Sequence, residues 1–597
     1  MVDPQQPAPL DATAAPSDGG RAGMRARRAA FGLAVLATCV ALLWLMATTL
    51  FVTSPDPVGV AMLLLFALTL PWTCIGFWHA VIGFALMCFI RDPERLVAPH
   101  LRSITGDEPI ASDTALLVCV RNEDTDRLQR NLAWMLEGLS RAGESRWFHL
   151  YLLSDTSEAA TADREAEIVA ALSARFGPDV RITYRRREHS TGFKAGNIRD
   201  FCERWGERHP FAIVLDADSL MSPAAMLRLV RIMQACPQIG ILQTLVTGLP
   251  SASPFARIFQ FGMRLGMRSY TLGAASWQGD CGPYWGHNAI LRVAPFTAHC
   301  HLPVLPGKAP LGGHVLSHDQ LEAVLMRRAG YEVRVLPVED GSWEENPPNL
   351  PEFIRRDLRW CQGNMQYFRL LTTPGLLPVS RGQLVLAILM YIGAPAWIGF
   401  MVLGLFRELP FRLDLGVLLF AVTLAMGLAP KLATLADVLI RGPLRRAYGG
   451  AARVIASALL ETVFSMLIAP VSAVAVTIFM IGLLFRRRVG WTSQQRDAQA
   501  LEVGVAVRAL WPQTLFGIGL GIWLWRVAPG AVWYWAPLIA GLAGSIPIAL
   551  VSAHPRFGRA LARAGLCRIP EEAPLAEGVS APRALTQWSP FTPGLGK

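Results

Sequence analysis

Charge is scarce in this chain. Only 17% of its 597 residues are Asp, Glu, Lys or Arg, against 52% hydrophobic, and the mean hydropathy is +0.35. That balance excludes an ordinary soluble protein of this length and makes membrane spans the first thing to look for. Paired cysteines are missing too. The ten cysteines stand singly with no CxxC, and Cys119, Cys202, Cys236 and Cys281 are isolated in the central region, so reduced, packed thiols are expected rather than a disulfide framework. His299-Cys300-His301 is the one metal-like cluster. Adjacent residues of an extended chain point to opposite sides and no second pair follows at zinc spacing, so a metal-free loop is expected there. No repeat of 20 to 50 residues is visible. The formal net charge of +11 lies largely beside apolar stretches, with no aromatic-basic stripe, so nucleic acid is not an expected partner.

What is there begins with two long apolar runs, residues 30–53 and 58–90, each able to cross a hydrocarbon core of about 30 Å as a helix. The basic stretch RAGMRARRAA precedes them. The first run, of about 24 residues, exceeds the usual 7 to 15 of a signal peptide, so a retained helix with a cytoplasmic N-terminus is expected. The chain divides into a disordered basic tail (1–28), two transmembrane helices (29–90) and a cytoplasmic domain (91–381). Two more spans follow (382–440), then cytoplasmic loops with an interfacial or re-entrant segment (441–510), two further spans (511–552) and a cytoplasmic tail (553–597). Basic clusters such as RGPLRRAYGGAAR, FRRRVGW and HPRFGRALARAG mark the cytoplasmic side. Both flanks of residues 455–485 are basic, which requires an even number of crossings, yet halving the stretch leaves roughly 23 Å per leg. A segment broken near Pro470 is therefore expected, with Glu461 hydrated at the interface. The total is six spans, or eight if that segment crosses twice.

Inside residues 91–381, short apolar runs alternate with helical patterns: TALLVCV at 114, HLYLLSD at 149, VRITYR at 180, FAIVLDA at 211 and IGILQT at 239. The rhythm predicts an α/β domain with a parallel sheet flanked by helices. Ligands of such sheets bind beyond the carboxyl ends of the strands, where polar residues collect: Asn122 and Glu123, Asp155, Lys194 and Asn197, Asp216 and Asp218. Asp216 and Asp218 are two apart, so in an extended chain both carboxylates lean to one side and can share a Mg²⁺ or Mn²⁺. Taken alone the spacing is weak, since strand-end acids often face water, and Ser219 or Ser222-Pro223 can cap the next helix. In RRDLRW, Arg356 and Arg359 share a helix face suited to a diphosphate, and Trp360 adds a flat aromatic surface beside them.

Taken together, residues 110–380 and the flanking spans resemble the processive, membrane-embedded glycosyltransferases of family 2, the group that includes cellulose and hyaluronan synthases. The resemblance implies a glycosyltransferase A-type, Rossmann-like nucleotide-sugar domain inserted between transmembrane helices. It implies that Asp155 contacts uridine, that Asp216 and Asp218 hold the donor-diphosphate metal, and that Lys194 of KAGN contacts the nucleotide. It places the catalytic base at Asp319, in LSHDQLEAVLMRRAGYEVRVLP. The plain alternatives are an exposed lysine at a helix start and a helix N-cap. Where most relatives carry Gln-x-x-Arg-Trp, this chain has Arg356 at the Gln position. That variant, with WCQGN, YWGHNAI and VLSHD, is similar to the members that build the backbone of osmoregulated periplasmic glucans.

By that likeness UDP-glucose is the donor and a β-1,2-linked glucan the product, exported across a bacterial inner membrane. The catalytic domain and both termini are cytoplasmic, and an acyl-carrier-type protein and periplasmic glucan-modifying proteins are candidate partners beside the lipid bilayer and the growing glucan chain. Trp285, His287 and Asn288 then line the acceptor side, with core packing as the alternative. The loop FRRRVGWTSQQRD, 485–497, is read as a positive-inside anchor, and a cover over the nucleotide is the other reading. Two other functions stay open: a glycolipid synthase moving one sugar to a lipid carrier, and a UDP-sugar sensor or transporter in which Asp319 and Trp360 are dispensable.

Overall fold

The computed structural model describes residues 18–572 except 53, 408–409 and 491–497. Ten strands follow in chain order: β1 Thr114–Val120, β2 Phe148–Ser154, β3 Arg181–Arg186, β4 Phe211–Asp216, β5 Leu220–Met221, β6 Ile239–Thr244, β7 Thr247–Gly248, β8 Ala289–Arg292, β9 Glu332–Leu336 and β10 Ser342–Glu344. All five apolar runs read as strands are among them. Seven build the main sheet, ordered β3-β2-β1-β4-β8-β6-β9, and β5-β10-β7 form a small second sheet. The period-2 alternation of β1 sends Leu116, Val118 and Val120 to one face and Ala115 and Leu117 to the other, which is why a seven-residue apolar run can be buried on both sides.

The expected parallel pairing holds for the strands read from the sequence, and one further strand runs the other way. Pairs β1–β2, β2–β3, β1–β4 and β6–β9 are parallel, whereas β8 runs antiparallel to both β4 and β6. The chain enters β8 at the carboxyl edge of β6 and runs back from there. Its four residues, AILR, are too short to announce a strand in the sequence.

On one face lie helices Thr125–Arg141, Ala159–Phe176 and Pro223–Ala235; on the other, Phe193–Trp205 and His318–Arg328. The second core does not stop at the domain. Leu117 and Tyr284 share a hydrophobic cluster with Cys361 and Met365 of helix Leu350–Met365, with Leu384 and Ile388 of helix Pro378–Leu405, and with Val476 and Phe479. The sheet is thereby packed continuously onto the apolar helices.

Among the described residues six helices are each long and apolar enough to cross a membrane, or seven with the pair Pro529–Ala543 and Ser545–Ala553, which is bent by 60°. The first runs from Asp18 to Leu50. Residues 18–28 are thus helix rather than disordered tail, and Arg28 is tied to the carbonyls of Trp277 and Gln278 at 3.1 and 2.6 Å. The break expected near Pro470 is also absent: Ala451–Leu484 is one helix of 34 residues, about 51 Å long at 1.5 Å per residue. A proline in a helix interior costs about 3 kcal/mol, and here Pro470 is buried among neighbours that hold the helix together. Glu461 is 3% exposed rather than hydrated. The N-terminal part of this helix meets Phe261 and Tyr448 through Val454, and its C-terminal part meets the sheet-side cluster through Phe479 and Leu483. Both ends therefore touch elements packed on the 91–381 domain.

Candidate active site

Because β1, β2, β3 and β4 run parallel, their carboxyl ends share one edge, and antiparallel β8 brings its preceding loop to that same edge. The polar strand ends and the YWGHN loop are thereby delivered to one place. A cavity of about 250 Å³ opens there. On the sheet side it is lined by Glu123, Asp155, Lys194, Asn197, Asp216 and Asp218; from across it come Trp285, His287, Asp319, Arg356, Arg359 and Trp360.

Two predicted residues are not in its lining. Asn122 (φ 51°) spends its side chain on the loop after β2, accepting from the amides of Ser157 and Glu158 at 3.0 and 3.2 Å. Asn288 (φ 49°) is fully buried and donates to Ser342 Oγ and the Trp343 carbonyl at 2.9 and 3.2 Å. Neither side chain lines the cavity, and each fastens a loop beside it. Asn197 reaches the lining, yet its amide is spent on the Leu153 carbonyl and on Arg185, so it fixes the end of β2 rather than offering a free group.

The helix after Asp216-Ala217-Asp218 is capped by Ser222, which accepts from the Ala225 amide, with Pro223 in the first turn. The two acids are therefore not consumed as caps. Lys194 donates to Asp216. Burial draws the Lys194 ammonium down, and Asp216 beside it outweighs that, leaving its pKa raised. Opposite them Glu344, on β10, is pushed up by burial, with His287 and Arg356 opposing and Asp218 and Asp216 adding to the rise. Among the described residues no three His, Cys, Asp or Glu side chains converge as a full metal set. Asp216 and Asp218 can supply part of one, and crowded acids beside a lysine are a donor chemistry that fits a hard divalent cation.

Asp319 lies in the first turn of its helix, where Ser317 is the N-cap and no side chain makes a capping bond. The N-cap alternative for Asp319 thus falls away. Gly286 (φ 81°) passes close to it: a Cβ there would come 3.3 Å from the Asp319 Cβ. Arg356 stacks its guanidinium 4.8 Å from the Trp360 ring centre, so one face of that indole is covered, although the residue remains 50% exposed. Val489, at the start of the loop read as an anchor or cover, donates to Gln362 of the same helix at 3.0 Å; residues 491–497 of that loop lie outside the described residues.

Sequence reasoning missed Gln243. Buried at the end of β6, it accepts from the Trp285 amide at 2.8 Å and donates to the His287 carbonyl at 3.0 Å, clamping the loop that carries both residues. It also missed Glu344, and Arg187, which grips Asp155. Their partners are distant in sequence, and no local pattern points to them.

Comparison with known proteins fits this arrangement. A family model described as "Glycosyl transferase family group 2" matches residues 211–487, and one described as "Glycosyltransferase like family 2" matches residues 111–268. The glucans biosynthesis glucosyltransferase H of Ralstonia nicotianae is 36% identical, over 94% of this chain and 67% of its own. The chain belongs to the glucans biosynthesis glucosyltransferase H family. The protein of that name from Pseudomonas putida is 37% identical over 87% of this chain and 62% of its own, so this member of the family spans roughly two thirds of its relatives' length. Among solved structures, the mannosyltransferase PcManGT from Pyrobaculum calidifontis, in complex with GDP-Man and Mn²⁺, is 15% identical with a TM-score of 0.36, covering 64% of this chain and 99% of its own. Family membership makes the chain a family 2 glycosyltransferase, a hexosyltransferase with a mixed α/β domain beside apolar helices.

Proposed function

We propose that this chain polymerises glucose from UDP-glucose into a β-1,2-linked glucan and passes the product through its own spans. The observation that carries this is the meeting of Asp155, Asp216, Asp218, Asp319, Arg359 and Trp360 in one cavity of a domain whose second core is shared with the apolar helices. A sensor or transporter has no need of an acid free of capping duty at the helix start, nor of a tryptophan beside it.

In this reading Asp155 holds the uracil, while Lys194, Arg356 and Arg359 set positive charge around the diphosphate. A Mg²⁺ or Mn²⁺ held by Asp216 and Asp218 supplies further neutralisation of the leaving UDP when bound. Asp319 accepts the proton of the acceptor hydroxyl as that oxygen bonds to the anomeric carbon and the bond to UDP breaks on the opposite side, inverting the centre. Trp360, Trp285 and His287 present rings and hydrogen-bonding groups to the acceptor sugar. A polar glucan cannot cross lipid unaided, and the packing of the domain's second core onto the apolar helices supports hand-over of the product to them. The basic loops between the apolar helices support an inner-membrane placement with the catalytic domain and both termini on the cytoplasmic side.

UDP release by the detergent-purified chain, measured with several UDP-sugars with and without chelator and followed by sizing of the carbohydrate, tests this. Glucose-specific, metal-dependent release with a water-soluble oligomer cut by a β-1,2-glucanase is expected. A single-sugar product soluble in organic solvent would identify a glycolipid enzyme instead.

A further inference from the structure

A second cavity, of about 560 Å³, lies away from the strand ends and shares no lining residue with the first. One wall is a single face of helix Pro223–Ala235, where Ala224, Leu227, Arg228 and Arg231 stand at i, i+3, i+4 and i+7. The facing wall is the segment that leaves apolar helix Pro57–Phe89: Asp92, Glu94 and Arg95, then Leu101 and Ile104.

The charged groups are unevenly satisfied. Glu94 is held by Arg268 at 3.2 Å, and Asp92 caps the short helix Pro93–Val97 by accepting from the Arg95 amide. Both acids are therefore engaged. Arg231 spends its Nε on the Glu108 carbonyl at 2.7 Å. Arg228 has less. Its Nη2 donates to the Asp340 carbonyl at 3.2 Å, the exposed Asp340 carboxylate stays 3.9 Å away, and Nε is buried with no partner. Burial draws the Arg228 pKa down, and Asp340 opposes it. A guanidinium that has lost water without gaining a close carboxylate is completed by an anion. Arg228 and Arg231 share a helix face and present two such groups side by side, with Leu101, Ile104, Leu227 and Val338 as apolar surface beside them.

The cavity is also fixed in depth. Arg441, at the end of helix Leu413–Ile440, donates to the Met87 carbonyl at 2.8 Å, and Arg268 joins Glu94 to Asp437, each at 3.2 Å. The ends of two apolar helices and one wall of the cavity are thereby tied at one level, where such helices meet phospholipid headgroups.

We infer that this cavity is a headgroup site for an anionic phospholipid, with the phosphate held by Arg228 and Arg231 and the apolar part laid against Leu101 and Ile104. The guanidinium fork matches phosphate oxygens, and a zwitterionic headgroup brings a like charge into the same space. The occupant braces the exit of helix Pro57–Phe89 against the helix that begins just after Asp218. A soluble phosphate ester offers the same anion without the chain.

Melting of the full chain in detergent tests this, with dioleoyl phosphatidylglycerol or dioleoyl phosphatidylcholine titrated into the micelles, or glycerol phosphate into the solution. The proteins are wild type, R228Q, R228Q/R231Q and R559Q/R563Q. The last removes exposed arginines of helix Pro555–Ala564 and reports the general attraction of basic residues to an anionic surface. Phosphatidylglycerol is expected to raise the melting temperature saturably in wild type and in R559Q/R563Q, while R228Q/R231Q needs at least about tenfold more lipid for half the rise. Phosphatidylcholine and glycerol phosphate are expected to give no rise. An equal rise with phosphatidylcholine overturns the selection for an anion, and an equal rise with glycerol phosphate overturns the lipid as its source. An unshifted titration in R228Q/R231Q, or an equal shift in R559Q/R563Q, overturns the site. If the double variant does not purify as a monodisperse species, R228Q decides, because Arg228 gives up one carbonyl bond only: an unshifted titration there overturns the inference.

Discussion

Lys431 places its ammonium 2.6 and 2.7 Å from the two carboxylate oxygens of Glu461, joining helix Leu413–Ile440 to helix Ala451–Leu484. Ser465 adds a bond to the same carboxylate at 2.5 Å, and a side chain on Gly262 would collide with it. An acid that reads in sequence as a hydrated interfacial residue is instead the buried partner of a lysine on a neighbouring apolar helix. Removing one member of such a pair strands the other's charge, at a cost on the order of 3 kcal/mol. Lys431→Met and Glu461→Gln should each lower the melting temperature in detergent, and Lys431→Met combined with Glu461→Leu should recover most of the loss. Equal melting of wild type and Glu461→Gln would show that the pair contributes nothing.

Asp319→Asn is expected to bind UDP as the wild type does and to lose turnover by about 10²- to 10⁴-fold, the range of a general base. Parallel measurements of UDP binding and UDP release check this. Normal release would remove Asp319 from the role of base, and loss of binding along with release would recast it as part of the nucleotide pocket.

Asp218→Asn should weaken donor binding only where the divalent ion is present. Asp218 is 6% exposed and faces Glu344 across the cavity, so the substitution removes one charge from a crowded acidic patch. Binding isotherms with Mg²⁺, with Mn²⁺ and with chelator should converge in the variant and differ in the wild type. Isotherms that stay apart in Asp218→Asn would take the ion away from this acid.

The strands and their polar ends were legible because an apolar run followed by an acid is a local pattern, and parallel pairing puts such ends on one edge. What was not legible depended on partners far along the chain. Asn122 and Asn288 look like ligand-facing groups in sequence, yet a polar residue at a strand end reads the same whether it faces a cavity or fastens a loop. Their side chains are engaged by residues 35 to 55 positions away, and sequence does not show those partners. Gln243 and Arg187 act on residues 285–287 and on 155, separations that no motif spans. The unbroken helix through Pro470 escapes the sequence for a related reason: the basic flanks argue for a paired crossing and hence a break, whereas the helix runs on unbroken with Pro470 buried.

Asn288 leads to a prediction that separates fastening from sugar contact. Its amide holds Ser342 and the Trp343 carbonyl, and its own carbonyl accepts from Thr244 Oγ1 at 2.6 Å, so it joins β6, β8 and β10. Asn288→Ala leaves buried partners unsatisfied, at about 1–3 kcal/mol. Melting should fall and UDP release should drop as Trp285 and His287 shift, while UDP affinity stays unchanged. A variant with wild-type melting and a raised requirement for acceptor alone would return Asn288 to the acceptor side.

His318 gives the fold a pH dependence. Its Nδ1 lies 2.9 Å from Glu322 Oε2, one helical turn away. Burial draws the imidazole pKa down, and Glu322 outweighs burial, leaving it above the ordinary 6.5. The folded chain therefore binds this proton more tightly than the unfolded one, so the stabilisation is complete below pH of about 6.5 and is lost as the pH rises through the folded value. Glu322→Gln removes the group that raises the pKa and leaves burial to act alone. Melting temperature should fall from pH 6 to pH 8.5 in the wild type and change less over that interval in Glu322→Gln. Parallel slopes in the two proteins would assign the pH dependence to other groups.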